Sequence, residues 1–333
     1  MLDSRAFGRF ARSPSGVAGA AIVAALITFA LLGPALAGHG PLDSDFARGM
    51  GPGGMPVGPG AAFPLGADRL FRDVFARLAT AGRLSLLIAT AATLIAAALG
   101  AFVGIVSGWY EGARVPVPWP AAIGVATGLG ALGLGQRGVA AIAAGAGLAA
   151  AIWRRSPGPR VDLDALLMRL VDAMLAFPFL LLVMAVGAAL DRTSALTMLV
   201  TLGATGWLGI ARLLRAKTMQ VRALDYVEAS RALGQSTGQI MLRHVLPNVA
   251  GPLIVTATVQ VAQMIVADSV LSYLGVGISP PTPTWGRMLL EGQDYYLAAP
   301  WLVAAPGLAI LLAVWGFNML GEGLRDAIDP REA

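Results

Sequence analysis

Few side chains in this sequence are equipped for chemistry, and they collect in two places. There is no cysteine, and His39 and His244 are the only histidines, so thiol catalysis, disulfides and thiolate metal sites are excluded and a histidine-based metal centre is disfavoured. The first place is a polar run from about Ala216 to Asn248 that carries Asp225, Glu228, Ala229, Ser230, Arg231, Gly234, Arg243, His244, Leu246 and Pro247. The second is Gln260, Gln263 and Asp268 inside an otherwise apolar stretch. No glycine-rich phosphate loop ending in Lys-Ser or Lys-Thr occurs, and Lys217, the only lysine, has no such context. Both histidines fall outside the apolar stretches, which argues against an intramembrane hydrolase.

Spacing in the polar run predicts two short helices joined by a turn. Leu224, Val227 and Arg231 share one helical face, while Ala229, Ala232 and Leu233 supply small or apolar surface nearby. Gly234 permits the sharp exit that a short helix needs. Ser236-Thr237-Gly238-Gln239 fits a capping box that opens a second helix, and Pro247 is expected to end it. Such a pair projects compactly and lets a partner's backbone come close. Glu228 is read as orienting the loop through hydrogen bonds rather than as a base. Arg231 and Arg243 are available to acidic partner groups, solvent or lipid headgroups. Gln260, Gln263 and positions 267–268 fall on one helical face. Polar groups at such depth face a cavity or a partner, which leaves pathway lining, interhelical hydrogen bonding and, for Asp268, an interfacial position open.

Apolar blocks must position these groups. Of 333 residues, 56% are hydrophobic and only 13% charged, with a mean hydropathy of +0.71. A soluble domain carries about a quarter charged residues, so most of this surface meets lipid or protein. The apolar residues fall in blocks of roughly 16 to 27, the length of membrane-spanning helices, at about Ser15–Ala37, Leu84–Ser107, Pro120–Gly135, Gly138–Trp153, Val171–Leu190, Ala195–Leu214, Val249–Gly275 and Trp301–Leu320. The net charge of +5 lies in arginines between these blocks, which orients a membrane protein and gives no reason to expect nucleic acid. Arg5, Arg9 and Arg12 precede a first block too long for a signal segment, so a retained anchor with a cytoplasmic N-terminus at 1–14 is expected.

From that start, residues 38–83 form an external loop, and 216–248 and 321–333 are cytoplasmic. Arg212, Arg215, Lys217, Arg222, Arg231, Arg243 and Arg325 then lie inside, although Arg69, Arg72, Arg77 and Arg83 lie outside. The two short blocks, split by Gln136-Arg137, read as a hairpin rich in small residues. It is expected to pack on the outside of the bundle. Pro178 is expected to kink its helix. Trp285, Tyr295, Tyr296 and Trp301 read as an aromatic belt at the outer interface.

Glu228-Ala229-Ser230, three residues, Gly234 and then Leu246-Pro247 resembles the EAA loop of ATP-binding-cassette importer permeases. Ser230 replaces the second alanine of that pattern, and His244 stands where the general motif has isoleucine. Arg243-His244-Val245-Leu246-Pro247-Asn248 is similar to the version in the dipeptide/oligopeptide/nickel branch. The likeness extends to Pro64-Leu65-Gly66-Ala67-Asp68 with Arg72-Asp73-Val74-Phe75-Ala76-Arg77-Leu78, where Phe71 occupies a position usually held by glycine. It also covers Val171-Asp172-Ala173-Met174-Leu175-Ala176-Phe177-Pro178, Leu271–Gly277 and Pro280–Gly286.

The resemblance implies an all-α, polytopic permease, the second, C-type membrane subunit, located in the bacterial inner membrane with both termini cytoplasmic. It implies a six-helix core with an N-terminal anchor span, to which the hairpin at 113–160 is an insertion, giving about eight hydrophobic segments. The implied partners are a second homologous permease, two ABC ATPase subunits, an external substrate-binding protein and membrane lipid. No cofactor or metal is expected on this chain, ATP and Mg belonging to the ATPases. The loop Asp225–Pro247 would be the ATPase-coupling element, and the solute a peptide, nickel chelate, glutathione or another small molecule. An ion-driven secondary transporter is the competing class, but it should show inverted repeats with ion-binding broken helices, which this sequence does not.

Overall fold

The computed structural model describes residues 8–116, 145, 160–189 and 194–328. Side-chain caps set most helix starts. Helix α1 (Pro14–Leu36) opens where Ser13 Oγ accepts the Gly16 N–H, with proline at the first helical position. The short α2 (Phe46–Gly49) is capped by Asp45 and sits in a segment closed by the bridges Ser44↔Arg72, Met50↔Pro56 and Ala67↔Asp73. Asp73 then caps α3 (Val74–Trp109), whose 36 residues span about 54 Å at 1.5 Å each. The segment 38–73 therefore packs at one end of the bundle, and whatever touches Trp109 lies at the other.

Strands β1 (Arg114–Pro116) and β2 (Arg160–Asp162) pair antiparallel, with Arg114 opposite Asp162. Chain that leaves the bundle at Pro116 thus re-enters beside its exit. The two expected hairpin blocks lie, Gly145 apart, outside the described residues. After β2 come α4 (Leu163–Leu175), α5 (Phe179–Ala189), α6 (Ala195–Thr205), α7 (Leu208–Arg222), α8 (Asp225–Ala232), α9 (Thr237–Tyr273), α10 (Trp285–Gly292) and α11 (Trp301–Ile328).

Five helices are long and apolar enough to span a membrane: α1, α3, α6 with α7, α9 and α11. The bent pair α4 and α5 makes up to six. The architecture is all-α, apart from the two three-residue strands among the described residues. Three boundaries differ from those expected. Pro178 does more than kink the block 171–190: α4 and α5 meet at 93°, because proline lacks the N–H and disfavours helix at the residue before it. Helix α4 also starts at Leu163, well before Val171, since Asp162 caps it. Pro247 does not end a helix, and α9 runs through it. A π-turn over Met241–Val245 lets the Leu246 N–H bond to Met241 O, and the proline then sits in the first turn of the next stretch, where its missing N–H costs least.

Close helix contact depends on glycine. At Gly100 an added Cβ would lie 2.7 Å from Ile210 Cβ, and at Gly104 it would lie 2.6 Å from Ala211 O, so this face of α3 seats α7. Trp285 is no belt residue. It is fully buried, and its indole N–H donates to Leu78 O at 3.2 Å, because α10 folds back between α3, α9 and α11. Trp301 is half-buried and donates to Ala67 O at 3.1 Å, while Tyr296 remains exposed. Phe71 has φ 59°, the left-handed region that glycine favours.

Candidate functional site

The polar run folds as a hydrogen-bonded projection at the Trp109 end. Helix α8 buries Val227 and Ser230 and turns Asp225, Glu228, Ala229, Arg231 and Ala232 outward around a shallow open depression. Gly234 follows at φ 80°, and an added Cβ there would meet nothing within 4 Å among the described residues. The capping box at Ser236 and Gln239 is formed in both directions. Leu233 and Leu242, 81% and 69% exposed, present apolar tips beside these charges.

His244 joins the two arms of the projection. Its Nε2 lies 3.3 Å from Ser230 Oγ and 3.3 Å from Gln235 Oε1. Ser230 already donates to Tyr226 O at 2.8 Å, so Ser230 Oγ and Gln235 Oε1 both act as acceptors and Nε2 carries the proton. Asn248 donates to Tyr226 Oη at 3.0 Å and to His244 O at 2.7 Å. The two departures from the permease pattern, Ser230 and His244, therefore touch each other. Leu246 is half-buried against Val227, Ile240 and their neighbours, and Pro247 is exposed.

Two long helices carry this projection. Arg222, at the end of α7, donates to Trp109 O at 2.7 Å and to Glu111 at 2.9 Å, and the Arg231 guanidinium lies 5.2 Å from the Trp109 ring centroid. Further along α7, Arg215 holds Asp164 of α4 through two bonds of 2.6 Å, and Asp164 also accepts from Ser107. Arg212 pairs with Asp172. The other arm continues directly into α9.

These two arms and their neighbours border a cleft of about 610 Å³ at mid-span. It opens where two helices break, at 176–178 and at Gly206-Trp207, and non-helical backbone within a span requires protein or a cavity beside it. Gln260 and Gln263 both line it. Gln260 is buried and donates to Gly206 O at 2.7 Å, taking up a carbonyl at the break. Gln263 is exposed to the cleft. Asp268 does not reach it: fully buried, it accepts from Ser85 of α3 at 3.4 Å, and the same hydroxyl lies 3.4 Å from the Trp285 N–H. Sequence reading passed over Asn318, which also lines the cleft. Its signal was there to find, as the one amide in the apolar run 301–320.

A multi-span helical membrane protein with a broken-helix cleft and a braced projection has the architecture of a transport permease. Comparison with known proteins makes this specific. The family described as binding-protein-dependent transport system inner membrane component matches residues 141–333, and the N-terminal transmembrane domain of oligopeptide transport permease C matches residues 4–52. The chain belongs to the binding-protein-dependent transport permease family, in its dipeptide/oligopeptide branch. It is 33% identical over 324 residues to the di/tripeptide transport system permease protein DppC of Pseudomonas aeruginosa, covering 97% of this chain and 90% of the relative. To the dipeptide transport system permease protein DppC of Alkalihalophilus pseudofirmus it is 30% identical over 98% of this chain and 89% of the relative. The glutathione transport system permease protein GsiD of Pectobacterium atrosepticum is 31% identical over 82% of this chain and 74% of the relative.

Proposed function

We propose that this chain is one of two membrane subunits of an ATP-driven importer for short peptides. Its α8 and α9 projection docks on an ATPase subunit, and the cleft forms its half of the solute path. The relatives named for dipeptides, tripeptides and glutathione are all permeases of peptide-sized solutes, which supports the substrate class. The observation that carries the reading is mechanical. One element, stapled by His244, is continuous with α9 and bonded through Arg222 to α3, and Gln260 ties α9 to the break above α7.

A displacement of the projection thus reaches both walls of the cleft. Asp225, Glu228, Ala229 and Arg231 are the surface offered to the partner, with Gly234 allowing its backbone to approach. Coupling on this scheme requires that the partner contact two conformations unequally. ATP and Mg act in the ATPase partner, and an external binding protein delivers the solute to the end carrying residues 38–73. The projection and both termini are cytoplasmic.

Co-expression with a candidate second permease, ATPase subunits and binding protein tests this. Peptide uptake by the reconstituted complex should require ATP and the binding protein. Uptake driven by an ion gradient alone, without a co-purifying ATPase, would overturn the reading in favour of a secondary carrier. Labelling of a single cysteine at position 230 from outside intact cells would overturn the topology.

A further inference from the structure

The cleft has an uncharged lining with a specific division of labour. Among the described residues its polar side chains are Thr205, Gln260, Gln263 and Asn318, and no Asp, Glu, Lys or Arg contributes. Two of the four are already committed. Thr205 Oγ1 donates to Thr201 O at 2.8 Å, and the Gln260 amide donates to Gly206 O at 2.7 Å. Gln263 and Asn318 are exposed in the cleft, and among the described residues neither has a hydrogen-bond partner. An amide facing lipid at that depth would be costly, so these two face water, solute or protein.

Each side-chain amide carries two donors and an acceptor oxygen, matching the hydrogen-bonding groups of a peptide unit. Neither reads charge. A fixed charge in such a walled cleft would act at distances of several ångströms on any ionised side chain passing it.

We propose that Gln263 and Asn318 are the groups that contact the travelling peptide, pairing with its backbone, and that their neutrality is what makes passage indifferent to the charge of peptide side chains. This deepens the peptide-import reading and rests on it.

The test uses the complete reconstituted complex in proteoliposomes with saturating binding protein, and compares uptake of Ala-Ala, Ala-Glu and Ala-Lys. Asn318→Asp should favour Ala-Lys over Ala-Glu about tenfold relative to the wild-type ratio, and Gln263→Lys should shift the ratio about as far the other way. Asn318→Leu should slow all three peptides alike. Gln263→Glu serves if Asn318→Asp does not assemble. Equal changes for all three peptides in both charged variants would overturn the proposal, with the wild-type uptake leaving the importer reading intact. Loss of the second permease from both Asn318→Leu and Gln263→Leu preparations would place the amides in a subunit interface and also overturn it. A wild-type complex that moves none of the three peptides would instead remove the importer reading beneath it.

Discussion

The two ends of α3 bind their neighbours by opposite means. At the Val74 end, Arg77 is fully buried, with Asp68 and Arg72 nearly so. Arg77 donates to Asp68 and, at 2.8 Å, to Glu291 of α10. Arg72 donates to Asp68 at 2.7 Å, and Arg287 to Glu291 at 3.3 Å. At the Trp109 end Asp164 is buried against Arg215 and Ser107, but the charges of the projection are open: the Arg222–Glu111 pair is part-exposed, and Asp225, Glu228 and Arg231 face outward. One end pairs its buried carboxylates with arginines of the same chain. The other leaves donors, acceptors and the apolar tips of Leu233 and Leu242 for something else to use. A buried ion pair is costly to break because the survivor has no water, whereas an exposed pair contributes about 0 to 1 kcal/mol. The larger buried charge cluster therefore lies at one end, and the charges left open to a partner lie at the other.

Arg77→Ala should show this most strongly. It leaves Asp68 to Arg72 alone and Glu291 to Arg72 and Arg287, so the loss should approach about 3 kcal/mol, the lower end for a broken buried pair, read as a fall in the detergent melting temperature. Burial raises the Asp68 carboxyl above its ordinary value while Arg77 opposes the rise. Without Arg77 the carboxyl binds its proton to still higher pH, so stability declines as pH rises through that value. The deficit should therefore shrink in acid. A deficit that does not change with pH would separate the cluster's stability from its charge.

At the other end, Gly234→Asp or Glu228→Lys should abolish transport while leaving expression and melting near wild type. A Cβ at Gly234 meets nothing among the described residues, so only the left-handed backbone resists it there, at about 1 kcal/mol, and aspartate tolerates that region. The remaining loss must arise against a partner. Normal transport with normal stimulation of ATP hydrolysis in either variant would erase the contrast between the ends.

A finer comparison uses Phe71. Its ring packs against Phe46 with centroids 5.2 Å apart, yet its φ is 59°. Phe71→Gly should destabilise less than Phe71→Ala by about 1 kcal/mol, since alanine loses the ring and keeps the strain. The ordinary ranking, with alanine milder than glycine, would show that the backbone there is not strained.

The smallest effect concerns the staple. Ser230→Ala and His244→Ile should each cost about 0.5–1.5 kcal/mol, and the double variant should cost less than their sum. Strict additivity would mean that the 3.3 Å contact contributes nothing.

Much of this molecule was legible in one dimension because its signals are local. Apolar runs longer than a lipid bilayer, the capping box at Ser236 and the glycine at 234 each depend on residues within a few positions of one another, and all appear in the fold. Proline was local too: the bend expected at Pro178 is present, sharper than a kink, while Pro247 does not end its helix. The π-turn that carries α9 through Pro247 depends on how the preceding turn is wound, which no single residue announces.

What only tertiary structure decided are the contacts between distant positions. Arg77 meets Glu291 across 214 residues, Asp268 meets Ser85 across 183, and Trp285 gives its N–H to Leu78 across 207. An arginine near a membrane boundary or a tryptophan near a span end looks the same in sequence whether it faces water, lipid or a buried acid. Burial is a property of the other chain segments that arrive around a residue. Composition and periodicity thus defined spanning helices with a projecting polar loop, and the resemblance of its motifs implied a permease, while the assignment of Gln260 to a helix break, of Asp268 to a buried bond and of Gln263 with Asn318 to the cleft had to await the packing of α3, α7, α9 and α11.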